Sequence, residues 1–178
     1  GCEIVRVAVP DQKAAQALKI ICSASCLPVV ADIHFDGRLA VAALENGVHA
    51  LRINPGNIGG PAEVERVARA ALAHHASIRV GVNSGSIEKD LLRRHGGPTP
   101  GAMVESALGH ARLLEAHGFH DIKISLKSSS VLNTIAAYRI LAACCDYPLH
   151  VGVTEAGTAT RGTVKSSVGI GVLLWLGI

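Results

Sequence analysis

Six short apolar stretches in this chain are each interrupted by a charged or amide-bearing side chain where a buried strand should be aliphatic. They are Ile4-Val5-Arg6-Val7, Val29-Val30-Ala31-Asp32-Ile33-His34, Leu51-Arg52-Ile53-Asn54, Ile78-Arg79-Val80-Gly81-Val82-Asn83, Ile122-Lys123-Ile124-Ser125-Leu126-Lys127 and His150-Val151-Gly152-Val153-Thr154-Glu155. Strands covered on both faces of a parallel sheet read as nearly unbroken Val, Ile and Leu. Taking an unpaired charge out of water is costly, so charges repeated at such positions need a partner. Together the stretches supply five cations, Arg6, Arg52, Arg79, Lys123 and Lys127. A polyanion is the matching partner.

The rest of the composition narrows the class. At 178 residues the chain is long enough for one domain with a real core. Hydrophobic residues make up 49% and charged residues 17%, with a mean hydropathy of +0.35, as expected where helices cover most strands. No apolar run approaches the roughly 18–20 residues of a membrane span, and no basic leader precedes the first strand, so neither membrane nor secretory signal is expected. The net charge of +3 is too mild for a nucleic-acid surface, and 3% aromatics make a poor base-stacking platform. The odd set of Cys2, Cys22, Cys26, Cys144 and Cys145 points to reduced thiols and a cytoplasmic setting. Their spacing matches no zinc site, so no metal ligands are assigned and the thiols read as small buried hydrophobes on helices.

Helical patterns alternate with the strands. Asp11 is placed to cap a helix through Ala15 and Leu18, and Asp36 a second one that Gly47 stops. Pro61 opens a third, as proline does in a first turn. Ser86 is expected to cap a short helix ending at Arg93-Arg94-His95-Gly96. Further helices are expected near Ala102–His117, Ser130–Cys145 and Gly162–Trp175. Such alternation gives βαβ units and a parallel sheet. No Gly-x-Gly-x-x-Gly follows the first strand, which argues against a dinucleotide fold. Units of about 30 residues suit a TIM-type (β/α)8 barrel. About six of eight units are visible, so the expectation is an incomplete barrel lacking two strands.

Alternate strand residues share a face. Arg52 with Asn54, Arg79 with Asn83, Asp32 with His34, and Lys123 with Ser125 and Lys127 therefore point together. Asp32, His34, Asn54, Asn83, Lys127 and Glu155 fall at the strand ends where barrel active sites form. Singly, each has a bland explanation: an inward arginine as an ion-pair partner, His34 as a satisfied polar group. Recurrence is what tips the balance, since Asp32 and Glu155 do not offset five cations. Two decoys are set aside. Gly157-x-x-x-x-Gly162 resembles a phosphate loop, but its lysine comes two residues late. His74-His75 sits at a helix end as a solvated dipole partner.

These residues also carry a resemblance. Val30-Ala31-Asp32-Ile33-His34-Phe35-Asp36, Leu51 through Gly59 with its Asn-Pro-Gly-Asn core, Arg79 through Ser86, Ile124 through Ser129, Thr154-Glu155-Ala156-Gly157 and Gly162 through Ser166 resemble the 4-hydroxy-3-methylbut-2-enyl diphosphate synthase family. The likeness runs in order over essentially the whole chain. It implies an oxidoreductase of isoprenoid biosynthesis in the bacterial cytoplasm, one that opens the ring of 2-C-methyl-D-erythritol 2,4-cyclodiphosphate to give (E)-4-hydroxy-3-methylbut-2-enyl diphosphate. It further implies a [4Fe-4S] cluster on a separate C-terminal domain, ferredoxin or flavodoxin as electron donor, and a homodimer when full length. By motif, Arg6, Arg52, Arg79, Asn83 and Lys127 would hold the diphosphate with His34 assisting. Asp32 and Asn54 would line the same pocket, and Glu155 would give the proton to the departing oxygen. The resemblance leaves Lys123 out of the core site. No family cluster motif is present, so residues 1–178 are expected to be the substrate-binding barrel alone and inactive in isolation. Competing readings are another anion-handling barrel, such as a pterin or sugar-phosphate transferase, and a non-catalytic binding module.

Overall fold

In the computed structural model, which describes all residues from Gly1 to Ile178, strands and helices alternate as the hydrophobic pattern requires. The strands are β1 Val5–Ala8, β2 Val29–Asp32, β3 Ala50–Ile53, β4 Ser77–Asn83 and β5 Ile122–Lys127. The helices are α1 Gln12–Ala24, α2 Gly37–Glu45, α3 Pro61–Ala73, α4 Lys89–His95, α5 Pro100–Glu115, α6 Val131–Ala142 and α7 Ala159–Trp175. The sheet has the order β1-β2-β3-β4-β5, and the registered pairs are parallel. Two compact units share the chain. The first comprises residues 1–80 and 110–122, the second 81–109 and 123–178.

Capping chemistry sets the helix starts in the first unit. Asp11 Oδ1 accepts from the Ala14 amide at 2.8 Å, and Asp36 Oδ1 from the Arg38 amide at 2.9 Å. Pro61 stands at the head of α3, and Gly47, at φ +91, follows the end of α2 in the left-handed conformation that glycine adopts cheaply. Within the strands, parity separates two surfaces. Val29, Ala31, Leu51, Ile53, Ile78 and Val80 are fully buried, joining Leu18 of α1, Leu44 of α2 and Val67 of α3 in the core. The residues between them carry the polar groups. β1 differs, since Val5, Arg6 and Ala8 are all exposed.

The second unit buries Val82, Met103, Ile124, Leu126, Tyr138, Leu141 and Leu173. Its helices pack α6 against α7. Here the expectation of a sixth strand needs correcting. His150–Glu155 forms no strand, and the segment meets β5 through one parallel bridge between Ile124 and Leu149. Two backbone hydrogen bonds make that rung, Ile124 N–H to Pro148 O at 3.0 Å and His150 N–H to Ile124 O at 2.8 Å. Tyr138 reinforces it, accepting from the Leu126 amide at 3.0 Å and donating to His150 O at 2.5 Å. Beyond the rung lies Gly152, where an added Cβ would come 3.2 Å from Lys127 Cε. A glycine weakens strand pairing, and the absent side chain leaves room for Lys127 to lie against the backbone.

Two further expectations change. Ser86 does not cap α4. Its hydroxyl accepts from Asn83 N–H at 3.1 Å and donates to Asn83 O at 3.0 Å, closing a 3-10 turn over Ser84–Ser86, and α4 starts two residues later with Glu88 at its cap. None of the cysteines is buried: Cys2, Cys26 and Cys144 are exposed, and Cys22 and Cys145 half-buried. Cys22 continues the Ala15–Leu18 stripe near the end of α1, where it is only half-buried, and that partial burial pushes its thiol pKa up. No helix of the chain is long and apolar enough to cross a membrane.

Candidate functional site: a cationic row at the strand ends

In the first unit the register places Asp32 beside Arg52 and Arg52 beside Arg79 on successive strands. Registered residues of parallel strands point to the same face, about 4.8 Å apart. All three are almost fully buried. Arg52 Nη1 donates to Asp32 Oδ1 at 3.2 Å and lies 3.3 Å from His34 Nδ1. Because a guanidinium only donates, His34 Nδ1 is an acceptor, and the ring proton belongs on Nε2, which faces Asp32 Oδ1 at 3.6 Å. Arg6, from exposed β1, brings its Nε to 3.6 Å from Asp32 Oδ2. One carboxylate thus meets Arg6 and Arg52 directly, with Arg79 next in the row. A buried pair of this kind is a weak source of stability, because desolvation offsets the attraction. Guanidinium groups side by side can offer charge-assisted, bidentate hydrogen bonds to a multiply charged anion.

Asn54 follows β3 and opens a 3-10 turn, Pro55–Asn57. Its Oδ1 accepts from the Gly56 amide at 3.2 Å, leaving Nδ2 buried with no hydrogen-bond partner in the protein. The loop is clamped further along. Gly37 N–H donates to Ile58 O at 3.0 Å, Ile58 is buried, and the Glu63 side chain lies so close over Gly59, itself at φ +132, that this position has no room for a Cβ. Asp36, just past His34, is paired with Arg38. That guanidinium, with the Arg38 amide, holds the Asp36 carboxyl below the usual aspartate range.

The second unit holds the other expected residues. Asn83 ends β4 and, by parity, shares the face of Arg79 on the same strand. Half-buried Lys127 ends β5 and lies against Gly152. Glu155 is exposed and adopts φ +50, a left-handed conformation uncommon for a residue with a side chain. Ser125, on the face of Lys127, is buried, and Lys123 is half-buried. Two residues outside the expected set hold these features in place, His110 beside Gly56 and Tyr138 beside His150. Each is a long-range contact with no local pattern to announce it.

The cluster the resemblance implies is not matched by donors in this chain. No group of three or more His, Cys, Asp or Glu side chains gathers as a metal site, and the five thiols lie on scattered, mostly exposed positions.

A parallel sheet with alternating helices, apolar on one face and carrying Asp32, Arg52 and Arg79 side by side between its apolar positions, defines a TIM-type α/β domain. The chain belongs to the GcpE TIM-barrel domain family, which matches residues 1–178. It is 66% identical over its full length to the 4-hydroxy-3-methylbut-2-en-1-yl diphosphate synthase (flavodoxin) of Lawsonia intracellularis, covering 50% of that protein. It is also 66% identical to the protein of the same name from Nitratidesulfovibrio vulgaris, covering 46%. The chain thus spans about half the length of the curated relatives it matches. Among solved structures, the Yersinia pestis dihydropteroate synthase superposes with a TM-score of 0.53 at 9% identity, over 97% of this chain and 83% of that one. That likeness concerns the fold alone.

Proposed function

We propose that these 178 residues are the substrate-binding domain of a reductase that opens 2-C-methyl-D-erythritol 2,4-cyclodiphosphate to (E)-4-hydroxy-3-methylbut-2-enyl diphosphate in the bacterial cytoplasm. The observation that carries the reading is the buried row Asp32–Arg52–Arg79, in a chain 66% identical to relatives bearing that synthase name. Arg6, Arg52 and Arg79 neutralise the diphosphate from the first unit, with Asp32 and His34 holding Arg52 in orientation. Asn54 offers its Nδ2 to a ligand oxygen. From the second unit the reading adds Asn83 and Lys127 as further diphosphate ligands.

The reaction breaks a ring C–O bond, takes up two electrons and loses one oxygen as water. Glu155 is assigned the proton that lets that oxygen leave, a role for a positioned carboxyl group. Since the residues here do not fit a [4Fe-4S] cluster, the reading places the cluster in a separate domain, supplied with electrons by flavodoxin or ferredoxin. The relatives' printed name supports flavodoxin. Homodimer formation belongs to the same reading.

Calorimetric titration of the chain with the cyclodiphosphate tests this. Saturable binding, at least tenfold tighter than for a pterin diphosphate or a sugar phosphate, is expected. Equal affinity for all three would discard the substrate assignment. Turnover by the isolated chain with a reduced viologen would discard the division of labour between domains.

A further inference from the structure

We propose that His110 is a positioning residue that holds the Asn54-Pro55-Gly56-Asn57 turn in the shape that aims the Asn54 amide at substrate. The inference rests on the reading above that Asn54 contacts the cyclodiphosphate.

The Gly56 N–H is shared between two acceptors, Asn54 Oδ1 at 3.2 Å and His110 Nδ1 at 3.2 Å. A backbone N–H only donates, so Nδ1 is an acceptor and the imidazole proton resides on Nε2. The ring, carried on α5 and 4% exposed, lies flush against the turn. A Cβ at Gly56 would overlap His110 Cε1 and stand 3.1 Å from Nδ1. Gly56 and His110 are therefore a matched pair, the absent side chain making room for the ring. Asn54 is 5% exposed. With its oxygen turned to Gly56, its Nδ2 faces away from the turn, buried and without an acceptor in the protein. A buried donor left this way is costly, and such atoms in native proteins call for an explanation. An oxygen of the ligand supplies one. His110 acts one bond back from that contact: it fixes the Gly56 peptide, the peptide fixes the amide oxygen, and the amide nitrogen is left correctly aimed. Without the imidazole only Asn54's own side chain would hold that N–H.

Two variants and one spectroscopic signature test this. His110→Leu fills the space without an acceptor, whereas His110→Asn places an oxygen near the position of Nδ1. Losing one neutral hydrogen bond of typical net worth should raise the Kd for the cyclodiphosphate about tenfold in His110→Leu. His110→Asn should recover most of that. In the nitrogen-15-labelled chain, a coupling across the hydrogen bond should link Gly56 N to His110 Nδ1, and the Gly56 amide resonance should move upfield in His110→Leu. A folded His110→Leu chain with unchanged Kd overturns the proposal, as does an Asn variant no better than Leu. If His110→Leu fails to fold, absence of the coupling in the unsubstituted chain overturns it. Failure of the unsubstituted chain to bind cyclodiphosphate would instead sink the substrate reading, and the coupling would still report whether His110 holds the turn.

Discussion

The segment leaving β3 and the segment that follows β5 and α6 both carry glycine-rich turns with site residues, and they are held very differently. From Asn54 to Gly60 the backbone is pinned at Gly56 by His110, at Ile58 by Gly37 and at Gly59 by Glu63. From Leu149 to Gly157 the chain has one ladder rung, Tyr138 at His150, Lys127 over Gly152 and Val153 seated against Gly169 of α7, and then an exposed glutamate in a left-handed conformation. The first region is pinned at three points around its turn, and the second is held up to Val153 and leaves Glu155 exposed beyond it. Under the proposed function, binding would be preorganised, while the proton-donating group would settle only when substrate and the rest of the enzyme are in place. Pre-set charge where affinity is needed and slack where closure is needed is a common division in enzymes.

The largest effect should come from the first region. Arg52→Met leaves the buried Asp32 carboxylate only its longer contacts to Arg6 and His34, which should cost about 2 kcal/mol in urea unfolding and remove detectable cyclodiphosphate binding. Retention of affinity within tenfold would break the idea of a preformed cationic row. Next, Tyr138→Phe removes two hydrogen bonds, one to the segment at His150 and one from Leu126 of β5, and should cost about 1–2 kcal/mol, with faster protease cleavage between residues 149 and 157. Unaltered cleavage would mean that Tyr138 is not what holds the segment. Substitutions of Glu155 sharpen the contrast in backbone strain. Glu155→Gly should be more stable than Glu155→Ala by about 1 kcal/mol in the same assay, since both lack the carboxylate and only glycine accepts φ +50 cheaply. The smallest effect concerns pH. Arg38 lowers the folded-state pKa of Asp36, so the pair stabilises the protein above the ordinary aspartate range, and that contribution fades as pH falls through the lowered value. Asp36→Asn keeps a good helix cap but should flatten this acid limb when urea midpoints are followed down from pH 5.

Local chemistry was readable wherever cause and effect lie within one turn or one strand. Asp11 and Asp36 cap as their positions imply, Pro61 opens α3, and strand parity correctly puts Asp32, Arg52 and Arg79 on one face. The alternation of strands and helices gave the parallel architecture. What escaped depends on distance or competition. Ser86 had two possible uses for its hydroxyl, and closing a turn on Asn83 outcompeted capping α4. Val151, Gly152 and Val153 have strand-like neighbours in sequence, yet the ladder to β5 stops at the Ile124–Leu149 rung, before the glycine that weakens pairing. The cysteines were judged by hydrophobicity alone, yet Cys2, Cys26, Cys144 and Cys145 lie outside the helices, and Cys22 near the end of α1 is only half-buried. His110 meets Gly56 across 54 positions.

The strand order has a consequence for how the molecule comes into being. Through β4, each strand pairs with a predecessor roughly 20–27 residues upstream, and the sheet never waits for a remote segment to complete a rung. During synthesis each emerging strand meets a ready template, so the sheet can assemble as the chain leaves the ribosome. The same order leaves a fresh, unpaired edge waiting while every helix is translated. Pauses in translation are therefore safest just after a strand has docked, and most hazardous within the stretch that encodes α4 and α5, the longest delay between two neighbouring strands.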